Sequence, residues 1–458
     1  MERLPRAARD APAGLRVYYV RLMSTPSGHD KPYTRYRAGD AAYGGGSSGG
    51  RPPSDRHGPG RRKRRRGGGL LLLLIVLALV AAAAAGVAAA AGWGPFSSKD
   101  KSADAASPAA TVAATQIPAA SPSTADTSPS ASPSPTPSAA PTFTVTAGGD
   151  TMGGFGVSSV VASMGSSLFK SIAPTFKKSD FGFVNLESPL TTGGDPQGWK
   201  DVVIKGNPAL APAMAKSGIN VVTMANNHAG DMGDSGLLDS IRHCSQNGIT
   251  VVGAGKDLKQ ARRGSVLTTK DGAKVAFLGF SDVLPAGYPA TSTSPGTSPG
   301  RADLSAVKAA IKAAKKRADY VIVGWHWNFE YKRAPSYLEE SEGKAAIDAG
   351  ADIVFAHHPH LLDGVEAYHG GLIFYSLGNL VFSGFSGETA ETILVRAKVS
   401  ADGIDAQLVP VVGGGSGVPS LATGSEADSI LQRFKGFSAA LDTKVKISDG
   451  KGYVHLKR

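Results

Sequence analysis

Five of the ten histidines in this 458-residue chain fall in three short stretches: Asn226-Asn227-His228, Gly324-Trp325-His326-Trp327 and His357-His358-Pro359-His360. Carboxylate and amide groups stand in comparable places, namely Asp150 after Gly148-Gly149, Glu187 in Asn185-Leu186-Glu187-Ser188-Pro189, and Asn379 in Ser376-Leu377-Gly378-Asn379. Each has a plain explanation on its own, since Asp after Gly-Gly and Asn-Asn are good turn formers. As a set they read differently. Imidazole, carboxylate and amide oxygen together are the mixed donors that suit Zn, Mn or Fe(II), so the set points to a metal-centred site. The single cysteine, Cys244, falls within a helical pattern. That removes a thiolate from the donor set and excludes both an internal disulfide framework and a Cys-based zinc site. His243, His369 and His455 have no polar company and read as structural. No Gly-x-Ser-x-Gly elbow joins a predicted strand to a helix, which disfavours a serine hydrolase of that type. Gly253-Ala254-Gly255 lacks the remaining glycine of a dinucleotide fingerprint. Lys205, Lys332 and Arg333 read as a solvated face rather than as anion ligands.

The elements that must position these groups follow from periodicity. Strand-like runs occupy 143–146, 181–186, 219–224, 250–252, 274–280, 320–325, 353–356 and 372–377, and helical patterns occupy 207–216, 235–247, 303–317 and 335–349. Asn207-Pro208 reads as a helix start, and Gly218 and Gly248 as helix ends. Such alternation predicts an α/β domain. In open α/β folds ligands collect beyond the carboxyl ends of the strands, and that is where Asp150, Glu187, Asn227, His326 and His357 fall. Residues 289–300 and 412–424 read as loops.

Net charge and composition divide the rest. Residues 1–69 hold 16 Lys/Arg and 5 Asp/Glu, or +11 of the total +12, so the basic balance describes a tail and excludes a general nucleic-acid reading. This segment, in which Met23 is an alternative start, cannot bury enough apolar surface to order itself and is expected to be a disordered cytoplasmic tail. Residues 70–91 carry no charge; as a helix they would span roughly 33 Å, enough for a bilayer core. With Arg61-Arg62-Lys63-Arg64-Arg65-Arg66 just before them, they predict a single-pass signal anchor, favoured over a cleaved signal peptide, with the remainder outside the cell. Residues 92–141, rich in Ala, Ser, Pro and Thr, predict a disordered extracytoplasmic linker. The folded domain is expected over 142–458.

Gly149-Asp150, Asn185-Leu186-Glu187-Ser188-Pro189-Leu190, Ala225-Asn226-Asn227-His228, His326-Trp327, Ala349-Gly350-Ala351-Asp352, His357-His358-Pro359-His360 and Tyr375-Ser376-Leu377-Gly378-Asn379 occur in that order. Together they resemble the CapA family, the poly-γ-glutamate capsule synthesis proteins, over about 142–383. That family is similar to calcineurin-like metallophosphoesterases, which implies a four-layer α/β/β/α sandwich with one or two divalent ions (Mn, Zn or Fe) at the strand ends. The resemblance implies Asp150 and Glu187 as carboxylate ligands, Glu187 being the better bridge, and Asn227 as an amide ligand. His326, His357 and His360 would complete the site, with His358 a ligand or a close neighbour. His228 would be the general acid that protonates the leaving group. Three departures from the phosphoesterase pattern stand out: Asp150-Thr151-Met152 replaces Asp-x-His, Asn185-Leu186-Glu187 replaces Gly-Asp-x-x-Asp, and Ala356 replaces a glycine. The implied role is synthesis, transfer or release of an anionic cell-surface polymer or its precursor by a metal-dependent hydrolase-like domain. The alternative is a non-catalytic anchoring or export subunit beside a polymer synthase, and a weaker third reading is hydrolysis of small phosphoesters. The membrane and synthase subunits are the expected partners, and nucleic acid is not.

Overall fold

The computed structural model describes residues 141–458. The basic tail, the apolar span at 70–91 and the linker up to residue 140 lie outside the described residues. Among the described residues, no helix is long and apolar enough to cross a membrane.

In chain order the elements begin with β1 (Phe143–Thr151), α1 (Phe155–Met164), α2 (Ala173–Phe176), β2 (Phe181–Leu186), α3 (Leu210–Lys216), β3 (Val221–Thr223), α4 (Gly233–Gln246) and β4 (Thr250–Val252). There follow β5 (Ala254–Gly255), α5 (Leu258–Arg263), β6 (Ser265–Thr268), β7 (Lys274–Ser281), β8 (Gly296–Thr297), α6 (Leu304–Lys315), β9 (Tyr320–His326), α7 (Tyr337–Asp348) and β10 (Ile353–His357). The last third supplies β11 (Val365–Tyr368), β12 (Gly371–Phe374), β13 (Asn379–Val381), β14 (Glu391–Ser400), β15 (Gly403–Val412), β16 (Ser420–Leu421), α8 (Gly424–Ala439), β17 (Lys446–Ser448) and β18 (Lys451–Lys457).

One sheet has the order β17-β18-β15-β14-β1-β2-β3-β4, with β13 beside β1 and β16 beside β15; a second has the order β11-β12-β10-β9-β7-β6. Strands β1 to β4 run parallel in the first, and β7, β9, β10 and β12 run parallel in the second. Side-chain parity shows how the sheets stack. Phe181 and Phe183 of β2, Val275 and Phe277 of β7, Tyr320 and Ile322 of β9, and Ile353 and Phe355 of β10 share one core between the sheets. Their alternates split between two outer cores. Val184 and Val222 pack with Val161, Met214 and Leu237 from α1, α3 and α4. Val321, Val323 and Val354 pack with Val307, Ile311 and Ala346 from α6 and α7. Helix α8 seals one edge of the inner core through Ile430, Leu431 and Phe434. This is a mixed α/β fold with helices outside two facing sheets, consistent with a calcineurin-like domain.

Each of the eight predicted strand positions holds a strand; 181–186 and 250–252 keep both ends, and the others shift at one or both. The helix expected from residue 207 begins at Leu210, because Asn207 Oδ1 accepts the Ala209 N–H at 3.0 Å and closes a turn first. Gly218 and Gly248 end their helices at φ 92° and 72°, a left-handed geometry that favours glycine. The antiparallel hairpin β14–β15, its neighbour β18 and helices α1, α5 and α8 were not among the elements expected from the sequence. The loop expected at 289–300 contains the two-residue strand β8.

Candidate metal centre

Strand parity aims the site. In β2, β9 and β10 the inward-facing series 181-183-185, 320-322-324-326 and 353-355-357 ends in Asn185, His326 and His357 at the carboxyl edge of the inner core. Strand β1 reaches the same edge through a register irregularity between Ala147 and Asp150. The irregularity brings β1 against the turn at 376–379, where the Asp150 N–H donates to the Gly378 carbonyl at 2.8 Å. A Cβ on Gly149 would lie 2.0 Å from that same carbonyl oxygen, so glycine is required there.

The expected donors meet. Asp150 lies between His357 (Nδ1 to Oδ1, 3.2 Å) and His360 (Nδ1 to Oδ2, 3.4 Å), and the His358 N–H donates to its Oδ2 at 3.3 Å. Glu187 Oε1 is 3.6 Å from His326 Nε2 and 3.9 Å from His360 Nε2, and His326 Nε2 is 2.9 Å from Asn227 Oδ1. Two groups have their ligand atoms within 4.8 Å of one another: Glu187 with His358 and His360, and Asp150 with Glu187 and His326. His358 therefore joins a ligand group, whereas His357 stands outside both and reaches Asp150 alone. Met152, at the position where phosphoesterases carry histidine, is fully buried in the apolar cluster beside α1 and offers no nitrogen or oxygen donor.

Neighbouring amides hold this arrangement. Asn185 Nδ2 donates to Asp150 Oδ1 at 2.9 Å and lies 3.4 Å from Glu187 Oε2. Asn226 donates in turn to Asn185 Oδ1 and to the Leu186 carbonyl, and Asn379 Oδ1 lies 2.8 Å from His360 Nδ1. His358 and His360 adopt φ 100° and 54°, a left-handed backbone unusual for histidine. Sparsely populated backbone of this kind persists where surrounding structure enforces it, typically at functional sites.

The residues present fit a cation. Glu187 Oε1, His357 Nε2 and His358 Nδ1 are buried without a hydrogen-bond partner, an arrangement that buried polar groups otherwise avoid. Burial, reinforced by the Asp150 carboxylate, pushes Glu187 well above the usual carboxylate range. Burial and the charge of His360 push His358 down to about 3, so its ring is a neutral donor. His326 is likewise held well below the usual imidazole range, mainly by burial. Against its burial, His360 is raised to about 9 by Glu187 and Asp150. A cation among these groups would satisfy the unpartnered Glu187 oxygen and the neutral imidazoles of His326 and His358, all of which are buried away from water.

Beside this cluster His228 belongs to a second network that its sequence neighbours did not reveal. Asp231 Oδ2 lies 2.7 Å from His228 Nδ1 and accepts the Ile204 N–H at 2.7 Å; its Oδ1 accepts from Lys200 Nζ and Tyr288 Oη, each at 2.6 Å. Lys200 also donates to the Asn227 carbonyl at 2.5 Å. With Nδ1 held by Asp231, Nε2 is the ring nitrogen of His228 left for a substrate. Burial lowers the His228 pKa, and Asp231 opposes that shift. Lys200 and Tyr288 come from loops far apart in the chain, so no spacing rule could have found them; Asp231, three residues past His228, was the one legible signal. Of the remaining histidines, His369 pairs with Asp348 and His455 with Asp405, both on the exposed surface. Cys244 is buried in α4.

Residues 144–384 match the family described as "Bacterial capsule synthesis protein PGA_cap". "PGA biosynthesis protein CapA" of Bacillus subtilis is 35% identical over 257 residues, 56% of this chain and 67% of the relative. "Capsule biosynthesis protein CapA" of Bacillus anthracis is 35% identical over 267 residues, 57% of this chain and 64% of the relative. The "Probable polyglutamine synthesis accessory protein" of Mycobacterium tuberculosis is 32% identical over 213 residues, 44% of this chain and 56% of the relative. The chain thus spans about two thirds of the length of the two capsule proteins.

Proposed function

The chain belongs to the family of bacterial capsule synthesis proteins, and from that premise we propose that it acts in synthesis, transfer or release of an anionic cell-surface polymer through a metal-dependent hydrolytic site. Residues 70–91 anchor it, and the domain that begins near residue 142 works outside the cell. The observation that carries the reading is the convergence of Asp150, Glu187, Asn227, His326, His358 and His360 in one buried cluster beside a histidine oriented by its own carboxylate. These six, together with His357 beside Asp150, would hold the metal. A bound Mn, Zn or Fe would lower the pKa of a coordinated water and stabilise charge on the attacked centre. The chain's own residues do the rest. Asp231 fixes the ring of His228 and favours its imidazolium form, whose Nε2 would donate the proton that the departing group needs, help worth about 10²–10⁴-fold. Asn185 and Asn226 keep the two carboxylates in place.

The test is metal content and polymer turnover of the purified full chain beside His228→Ala. Stoichiometric metal in both, with turnover lost only in the variant, is the expected result. A variant that processes polymer at the parent rate defeats the catalytic reading and leaves the other role, an anchoring or export subunit. That second reading has one observation behind it, the missing donor at Met152.

A further inference from the structure

Among the described residues, five large aromatic side chains are exposed: Phe155, Trp199, Phe329, Tyr331 and Tyr337. All five lie on segments that leave the carboxyl edge of the sheets. Phe155 follows the exit of β1 past Asp150, Phe329 and Tyr331 follow the exit of β9 past His326, and Tyr337 opens the helix after that same loop. Trp199 precedes Lys200, the residue hydrogen-bonded beside His228, and its ring lies edge-on to Tyr288 at 6.2 Å. Tyr331 stands on the other flank. Its ring is 6.3 Å from His360 and 6.3 Å from Phe385, and its N–H donates to the Pro359 carbonyl at 2.9 Å. Aromatic surface therefore borders the buried donors on both the His228 side and the His360 side, and exposed rings that flank a buried donor cluster suit an extended ligand.

Backbone and charge add to this. Phe155, Asn328, Tyr331 and Ala334 have φ of 46°, 70°, 60° and 63°. Bulky residues in the left-handed region are held there by their surroundings. Two exposed cations, Lys205 beside Phe155 and Lys332 after Tyr331, outnumber the one exposed carboxylate of the loop at 329–331, Glu330. Lys205 Nζ donates only to the Thr192 carbonyl, and Lys332 has no carboxylate partner among the described residues.

We propose that this rim is an extended groove for a polymer that passes across the metal centre, with one subsite at Trp199 and the other at Tyr331. The groove takes an anionic chain whose repeat has both a methylene stretch, which lies on the rings, and a carboxylate, which meets Lys205 and Lys332. A γ-glutamyl chain has that chemistry. A small phosphoester would touch one flank only. The inference rests on the polymer reading of the site and specifies how the chain is held.

Binding by the full chain in detergent, with and without manganese, is compared for long poly-γ-glutamate and for the γ-glutamyl dimer. The long chain binds more tightly than the dimer. Trp199→Ala and Tyr331→Ala each weaken long-chain binding by roughly fivefold, the scale of one lost ring contact, whereas Trp199→Phe retains most of it. Lys332→Gln flattens the salt dependence of binding. Both alanine changes are at exposed positions, and circular dichroism checks that the fold is kept. Equal affinity for dimer and polymer, or alanine variants that bind polymer like the parent, overturns the proposal. So does quenching of tryptophan emission by brominated lipid in nanodiscs that Trp199→Phe abolishes, because the rim would then dock on the bilayer. Failure to load manganese counts against the metal reading alone, since ring-dependent chain binding is read in its absence too.

Discussion

Asp231 accepts hydrogen bonds from two side chains besides His228 and from one backbone N–H, and this makes it the residue on which the placement of the His228 ring depends. Lys200 supplies the compensating positive charge, in contact with Asp231 at 2.6 Å and largely buried. Removing one partner of such a pair leaves the other desolvated and uncompensated, at a cost of about 3–5 kcal/mol. Asp231→Asn should therefore lower the unfolding free energy, read by denaturant titration, by an amount in that range. Adding Lys200→Met should recover part of the loss, because the stranded ammonium goes with it. A double variant no more stable than Asp231→Asn would show that the two side chains are not coupled. The same network explains a limit of reading residues from sequence. Asp150, Glu187, Asn227 and the four site histidines sit at strand exits, where donor type and position coincide. Lys200 and Tyr288 sit in irregular loops with nothing local to mark them, and only the closed fold brings them to Asp231.

At the scale of elements, the exits of β7 and β9 are tied to α7 by a buried ionic cluster. Arg301 pairs with Asp282, Glu339 and Glu342, while Trp325 Nε1 donates to Asp282 Oδ1 at 3.2 Å. One guanidinium faces three carboxylates. Burial, aided by Asp282, accordingly pushes Glu342 up to about 8, so the native state carries a proton there that the unfolded chain releases near pH 4.5. A folded pKa above the unfolded one means that stability falls as pH rises through that interval. Glu342→Gln, which keeps the amide in the proton's place, should flatten the decline in thermal midpoint between about pH 5 and 8. An unchanged slope would show that Glu342 ionises normally. Elements differed in how legible they were for a related reason. The parallel strands are buried on both faces and read as continuous apolar runs such as Val321-Ile322-Val323. Strands β14 and β15 interleave Arg396, Lys398, Asp405 and Gln407 with apolar residues, and Pro410 interrupts the second. Their pairing depends on contacts between the two strands and with β1 and β18, which no single window contains.

For the whole domain, a cation bound at this cluster would couple folding to metal. Without a cation, Glu187 and Asp150 are buried in mutual repulsion, and Glu187 Oε1 has no hydrogen-bond partner. Metal that binds only the folded chain stabilises it by mass action, about 2.7 kcal/mol at a hundredfold excess over the dissociation constant. Manganese should raise the thermal midpoint of the full chain and chelation should reverse it. Glu187→Gln separates the two contributions. It removes one of the opposed charges while keeping the shape, so the metal-free midpoint should rise above that of the parent, and the increment from manganese should largely vanish. The two effects have opposite signs in one variant, which a general loosening of the fold cannot imitate. An unchanged manganese increment in Glu187→Gln would remove Glu187 from the ligand set. A metal-free midpoint below the parent's would mean that its carboxylate is already satisfied in the folded chain.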